Sequence, residues 1–561
     1  MECVDSRRLT GPNLLWDRRG AVLDVRCDAD RSDAVIEAWR RQVRRMLDAV
    51  GWPEEQTCVR RFSTGASLAI SAPRDGLYAA TDVNDWAWDA ACAVLAGEPE
   101  PQIEPDAEAL RRTILEESNP PLTVLQDAAL EHGLPLLSDD DAVSIGLGKG
   151  SRTWPVDALP SPADIDWTEL HTIPLGLVTG TNGKTTSVRL MTALARSQGL
   201  TVGLSSTDWI AVDDDIIDLG DYSGPGGARQ VLRDTRVEIA VLETARGGLL
   251  RRGLAVEQAD AALITNVASD HLGEFGVEEL ASLADVKWVV SRALGERGCL
   301  ILNAGDPLLV ERARTYNGRL TWFSRDPGNP VLRAGLAAGH GACTVESGHI
   351  VYLEGDRRAP ITAVDSIPIT LGGAATHNVD NALGVAGLAL ALGLSIEAVA
   401  SGLQALRPEQ NPGRCNLFNI GGARVIVDFA HNPHGLQAFL ELGRNLSAER
   451  RLLIIGQAGD RSDDDIKSLV EVAARANPDR VLIKRMARYS RGRPDGEVAR
   501  LIRETFLAAG TAPDKLVDEE DELEAVRDAL RWAQPGDLVI ALVHEDRNAV
   551  LDFLTEQAGG G

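Results

Sequence analysis

Leu177-Val178-Thr179-Gly180-Thr181-Asn182-Gly183-Lys184-Thr185-Thr186 runs from an apolar stretch into a glycine-bearing turn and on into a helix-forming segment, 187–197. Glycines let successive backbone N–H groups converge on phosphate oxygens. The following helix N-terminus adds positive potential, Lys184 a point charge, and the Thr185 hydroxyl a ligand for Mg²⁺. The pattern points to a nucleoside triphosphate site made by Gly180, Thr181, Asn182, Gly183, Lys184, Thr185 and Thr186. A full phosphate-loop spacing would place a further glycine where Val178 stands, so the match is to the Gly-Lys-Thr end. Strand, turn, Lys-Thr-Thr and helix in that order speak against a coincidental glycine turn.

The rhythm of apolar run, turn and helix extends outward from this stretch. Short continuous apolar runs at 175–179, 237–242, 261–265 and 300–302 alternate with helical segments, which predicts a parallel sheet covered on both faces. A second series at 423–427, 451–455, 480–483 and 538–543 predicts another α/β domain, joined to the first near 408–413. Acidic, proline-rich residues 97–107 and three prolines in 154–166 set off the start of the chain. There, helices are expected at 40–50 and 85–95 and strands at 21–25 and 67–70. The expected fold class is α/β in three units: an N-terminal α+β domain over 1–165, a central P-loop parallel-sheet domain over 166–408, and a C-terminal Rossmann-like domain over 409–561. The closing Gly559-Gly560-Gly561 reads as a frayed end.

In a doubly wound sheet the carboxyl ends of the strands form the ligand crevice. Ala240-Val241-Leu242-Glu243 places a carboxylate at such an end, and Ile264-Thr265-Asn266-Val267-Ala268-Ser269-Asp270-His271 delivers a second carboxylate and a histidine to the same crevice. Either alone reads as structural; together, two carboxylates, Glu243 and Asp270, and one histidine, His271, beside a Lys-Thr turn whose Thr185 can ligate Mg²⁺ point to metal binding. Lys287 lies on a helix among apolar neighbours, where most lysines reach out to solvent.

Composition narrows the function. The chain of 561 residues carries 57 Lys and Arg against 83 Asp and Glu, a net charge of −26, which repels nucleic acid and anionic membrane. Aromatic residues are only 4%, too few for a base-stacking platform. No apolar run approaches the ~18 residues of a membrane helix, and the start lacks the apolar core of a secretory signal, so a cytoplasmic protein is expected. The seven cysteines include no C-x-x-C pair and suit reduced thiols.

Two further motifs follow the phosphate turn, His377-Asn378-Val379-Asp380-Asn381-Ala382-Leu383 and Asp428-Phe429-Ala430-His431-Asn432-Pro433. Together, in this order, the three resemble the motifs of the Mur ligase family of ATP-dependent amide-bond ligases. The resemblance implies that Asn378 and Asn381 face adenine, that Arg414 contacts phosphate or ribose, and that Asp428 holds the ribose, with His431 brought to the nucleotide beside it. Glu243 and His271 would hold metal, and Lys287 falls where many members carry a carbamylated lysine that assists a second Mg²⁺. Lys184, Glu243, His271 and Lys287 would then be the catalytic set, with ATP and Mg²⁺ as cofactors. Segments 242–251, 411–418 and 459–463, the opening Leu9-Thr10-Gly11-Pro12-Asn13 and residues 125–150 resemble the Mur-type module and N-terminal region of cyanophycin synthetases. The ATP-grasp domain that those enzymes place between the two regions has no room here, since about 30 residues separate Gly150 from the phosphate turn.

The implied activity joins an amino acid to an amino-acid or peptide carboxylate through an acyl phosphate, one kind of residue per cycle for a single ATP site. The C-terminal domain is expected to close over ATP about a hinge at 408–413. The Arg-rich segment 485–493 and the run Asp463-Asp464-Asp465 are candidates for choosing the substrates, although charge runs are usually solvated faces. Expected partners are these small molecules, with a homo-oligomer left open. The alternative is a regulatory or scaffold protein that kept ATP binding and lost ligation; retention of Glu243, His271, Lys287 and Asp428 speaks against it.

Overall fold

In the computed structural model, which describes residues 1–559, the fully buried strand Leu175–Thr179 lies at the centre of an eleven-stranded sheet. Seven strands run parallel, in the order Val202–Ser205, Ile239–Glu243, Leu175–Thr179, Ala259–Ile264, Leu294–Asn303, Arg319–Ser324 and Gly341–Glu346. Trp209–Val212 and Asp215–Leu219 close one edge and His349–Glu354 and Arg357–Ala363 the other, all antiparallel. The expected parallel sheet is therefore the middle of a mixed one. The edge strand Asp215–Leu219 is exposed at every position, and such strands lack the continuous apolar runs that mark buried parallel ones.

Side chains alternate across this sheet. Leu175 and Leu177 pack with Ala262, Val286 and Leu300 on one face, and Val178 with Leu190, Leu194 and Leu383 on the other. From Leu175–Thr179 the chain moves outward to Val202–Ser205, returns to Ile239–Glu243, then crosses to Ala259–Ile264 on the opposite side. That reversal opens a crevice at the carboxyl ends of these strands. The helix after the phosphate turn is Lys184–Ser197, three residues longer at its start than expected, so Lys184, Thr185 and Thr186 form its first turn.

The C-terminal sheet has the order Asn416–Ile420, Ala423–Asp428, Leu538–Leu542, Arg451–Ile455, Arg480–Lys484 and Leu516–Glu519, parallel except for the first pair. Helix Arg547–Gly559 ends the described chain; Gly560 and Gly561, part of the glycine run read as a frayed end, lie outside the described residues.

The first 165 residues hold two cores. A four-stranded antiparallel sheet, ordered Glu2–Leu9, Gly20–Arg26, Gly65–Ser71, Thr57–Phe62, is covered on one face by helices Ser32–Val50 and Leu77–Leu95. A three-stranded sheet, Leu136–Ser138, Ala142–Ile145 and Arg152–Pro155, packs with helix Pro120–Glu131 around a smaller core. Both long helices begin eight residues before the starts expected from sequence, at 32 rather than 40 and at 77 rather than 85. Neither has a side-chain cap, so no local signal marks the true start. Among the described residues no helix is long and apolar enough to cross a membrane.

Candidate active site

The phosphate turn is fixed by its own backbone and by the neighbouring strand end. Gly180 has φ 143°, and a Cβ there would stand 1.9 Å from Thr265 Oγ1; Gly183 has φ 88° and lies against Asn381 Oδ1. Thr265 Oγ1 and Asn266 Nδ2 both donate to Asn182 O, at 2.6 and 3.0 Å. The Asn182 N–H donates to Asn266 Oδ1 at 3.0 Å, and Thr181 Oγ1 to Ala268 O at 3.1 Å. Lys184 Nζ donates to Thr181 O at 2.9 Å, curled over the turn it would serve. Gly180 supports the turn from behind, while Thr181 to Thr186 line a cleft of about 690 Å³.

Glu243 ends its strand inside this cleft, 2% exposed. Its Oε2 accepts from Thr185 Oγ1 at 3.0 Å and from the Thr207 N–H at 3.3 Å, while Oε1 is buried without a partner. Burial raises its carboxyl above the ordinary value, against the charge of Lys184 and these hydrogen bonds. Asp270 and His271 line the same cleft, but their loop turns sharply, with His271 at φ 50° and its Nε2 4.0 Å from Asp270 Oδ1. Burial lowers the His271 imidazole, partly offset by Asp270. Lys287 is buried and lines the cleft, contrary to the solvent-reaching reading of a helical lysine. Burial, then the nearby Lys184 charge, drives its ammonium far below the ordinary lysine value.

Among the described residues no three His, Cys, Asp or Glu side chains stand close enough to form a metal cage. The donor set still fits Mg²⁺, which keeps several waters and is held by one or two carboxylates plus substrate phosphates. The unpartnered Oε1 of Glu243 beside the Thr185 hydroxyl is such a half-site.

The C-terminal domain forms the opposite wall. Asp428, His431 and Arg414 line the cleft, with the Arg414 guanidinium 4.7 Å from the centre of the Phe429 ring. Asn378 and Asn381 also line it, but Asn378 Nδ2 donates to Ile369 O at 2.8 Å and Asn381 Nδ2 to Asn378 Oδ1 at 3.1 Å. Across the domains, Asn182 and Asn432 exchange amide hydrogen bonds at 3.2 and 3.0 Å. Arg461 donates to Asp270 at 2.8 Å, and His431 Nε2 is 3.7 Å from the same carboxylate. Burial alone would raise Asp270, but the hydrogen bond and charge of His431, with Arg461, hold it well below the usual carboxylate range.

Several residues of this wall and of its seam with the central domain escape a sequence reading. Asp208 bridges Arg189 and Arg547, and Arg189 donates to Asn411 at 2.7 Å, which ties the expected hinge to the nucleotide side. The loop after Asp428 is held at three carbonyls: Phe429 O faces His431 Nδ1 at 3.2 Å, Ala430 O faces His544 Nε2 at 3.1 Å, and His431 O accepts from Gln457 Nε2 at 2.8 Å. His544 is in turn set by the fully buried pair of Lys484 and Glu522: its N–H donates to Glu522 Oε1 at 2.7 Å and its Nδ1 lies 3.4 Å from Lys484 Nζ. The available signal was His544-Glu545-Asp546, polar residues directly after a buried strand. The Arg-rich segment is mostly committed elsewhere, Arg488 to Glu545 and Asp546, and Arg493 to Asp463 and Glu497.

Residues 178–389 match the family model of the Mur ligase middle domain, and 413–542 that of the Mur ligase, glutamate ligase domain. A cyanophycin synthetase of Synechocystis sp. is 39% identical over 360 residues, 64% of this chain and 41% of that protein. One of Crocosphaera subtropica is 38% identical over 66% of this chain and 42% of its own length, so the chain spans about two-fifths of the length of these two relatives. A UDP-N-acetylmuramoyl-L-alanyl-D-glutamate–2,6-diaminopimelate ligase of Geobacillus kaustophilus is 26% identical over 66% of this chain and 73% of its own. The solved E. coli FolC in complex with ADP, without folate substrate, shares the fold at TM-score 0.51 and 16% identity, over 69% of this chain and 90% of its own. With its middle and glutamate-ligase domains both present, in order, around one cleft that carries the phosphate turn, this chain belongs to the Mur ligase family.

Proposed function

We propose that this protein is an ATP-dependent ligase that joins the amino group of an amino acid to the carboxylate of an amino acid or peptide, releasing ADP and phosphate. The observation that carries the reading is Glu243, buried beside the phosphate turn, with one oxygen bonded to Thr185 and the other unpartnered. Its relation to cyanophycin synthetases and Mur ligases supports it.

In this reaction an acceptor carboxylate oxygen attacks the γ-phosphorus of ATP and the bond to the bridging oxygen breaks, releasing ADP. The amine then attacks the acyl carbon, phosphate leaves, and the amine gives up a proton to water. Mg²⁺, held by Thr185, Glu243 and His271, would neutralise charge on the transferring phosphoryl group. Lys184 exchanges Thr181 O for phosphate oxygens and stabilises the same charge, and no enzyme nucleophile is required. Asn381, Arg414 and Asp428 orient the nucleoside, and closure of the C-terminal wall excludes water from the acyl phosphate. Lys287, whose burial favours the neutral amine, is suited to carry a carbamate on the metal side.

Purified protein incubated with ATP, Mg²⁺ and a panel of amino acids and acidic peptides tests this, with ADP release and product mass as readouts. Expected is ADP formation that requires both a carboxylate and an amine, with a new amide seen by mass. Turnover should fall in CO₂-depleted buffer if Lys287 acts as a carbamate. Lys184→Ala should lose at least a hundredfold in turnover while keeping its melting temperature. ATP binding with no stimulation by any amine would overturn the ligase in favour of a nucleotide-binding regulator.

A further inference from the structure

Residues 270–278 carry Asp270, His271 and Glu274 to the cleft along an unusual path. His271, Gly273, Phe275 and Gly276 have φ of 50°, 96°, 53° and 63°. Left-handed conformations at non-glycine residues are strained and persist only where the surroundings hold them. Here the holding groups come from two sides. From the central domain, Arg246 Nη1 donates to His271 O at 2.6 Å and pairs with Glu274. From the N-terminal sheet, Arg60 donates to Phe275 O at 2.6 Å and to Gly276 O at 3.0 Å, and the Arg7 guanidinium lies 4.7 Å from the centre of the Phe275 ring. The Ser63 N–H and Thr64 Oγ1 donate to Glu278 at 2.9 and 2.7 Å, and the Phe62 ring packs against Gly276.

The sheet that supplies these groups is built for them. Asp5 stands opposite Asp24, Asp24 opposite Ser67, and Ser67 opposite Arg60, so one polar row crosses all four strands. Arg7, two residues along its strand from Asp5, donates to Asp24 at 2.6 Å, as does Ser67 Oγ. Leu23, Val25, Leu68 and Ile70 alternate with this row and face the two helices instead. Asp24 and Ser67 are buried, and a paired buried charge adds little net stability against apolar residues of the same shape. The row makes sense as a fixture: Arg60 ends on the carbonyls of the 270–278 loop, and Arg7, held by Asp24, reaches the Phe275 ring of that loop while its Nε donates to Leu250 O at 3.0 Å.

We propose that the N-terminal sheet is a brace for this loop, with Arg60 and Arg7 as positioning residues that hold Asp270 and His271 at the cleft. The brace itself is independent of the ligase reading; only its effect on turnover rests on it. Hydrogen exchange of the full chain tests it, because the Gly273 and Val277 amides are bonded within the loop, to Val277 O and Glu274 O. In Arg60→Met these amides should exchange at least tenfold faster, with helix Lys184–Ser197 unchanged. Arg60→Lys should recover only part, since a lysine lacks the fork that reaches two carbonyls. In turnover, the Mg²⁺ concentration for half-activity should rise at least threefold while the ATP KM at saturating Mg²⁺ stays constant. Wild-type exchange rates in Arg60→Met would overturn the brace. If that variant exchanges faster throughout the N-terminal sheet, Glu278→Ala decides, since it removes both acceptors from the loop side alone: faster loop exchange supports the brace, and unchanged exchange overturns it. Absence of wild-type turnover would overturn the ligase and leave the exchange result to decide the brace.

Discussion

Glu243 holds one oxygen in hydrogen bonds to Thr185 and Thr207 and keeps the other buried and unpartnered. A buried polar atom without a partner costs about 1–3 kcal/mol, so in the metal-free protein this residue works against the fold. Because burial raises its folded value above the unfolded one, the folded state binds more protons in the interval between them. Stability then falls as pH rises from the ordinary carboxylate value of about 4.3 towards the raised one. Glu243→Gln removes the titration, so in EDTA it should melt about 2 °C above wild type at pH 7, with the gap closing near pH 4. Scanning calorimetry in EDTA at both values measures this, and a variant that melts below wild type at pH 7 would contradict it. In turnover the same variant should need far more Mg²⁺.

At the C-terminal wall, three elements meet through one buried pair: the end of Arg480–Lys484, the start of helix Glu522–Trp532 and the turn after Leu538–Leu542. Breaking such a pair from one side leaves an uncompensated charge and costs roughly 3–5 kcal/mol. Lys484→Met should lose about that much in urea unfolding, and adding Glu522→Gln should restore most of it; equal losses in single and double variants would argue against the pair. Lys484 and Glu522 lie 38 positions apart, and no spacing rule links them. Local chemistry was legible: the strand 175–179 and the turn 180–186 were readable because glycine, lysine and threonine act on immediate neighbours. Glu243 at the end of its strand and Asp270 in the loop after Ala259–Ile264 were readable for the same reason, since a carboxylate after an apolar run stands out. Other features carry no local mark: the helix starts without caps, at Ser32 and Leu77, and the burial of Lys287, whose place at the site came from the family resemblance and not from its neighbours in sequence.

Across the whole molecule, the domains are joined by contacts of two kinds. The Asn182–Asn432 amide exchange is neutral, whereas Arg547 to Asp208 and Arg461 to Asp270 are ionic. Buried or partly buried pairs are weakly screened, so closure should survive moderate salt yet depend on Asp208, which Arg189 and Arg547 share. Asp208→Asn should therefore give a larger radius of gyration by small-angle scattering with a non-hydrolysable ATP analogue; an unchanged radius would remove Asp208 from the closure contacts. The central strand has a different consequence, one that concerns the order of synthesis. Leu175–Thr179 is made before both of its sheet neighbours, Ile239–Glu243 and Ala259–Ile264. The phosphate turn also leans on Thr265 and Asn266, which follow the second of these. On a growing chain, the segment that handles nucleotide must therefore wait unpaired, its apolar residues open to chaperones, until the strand beyond it has emerged.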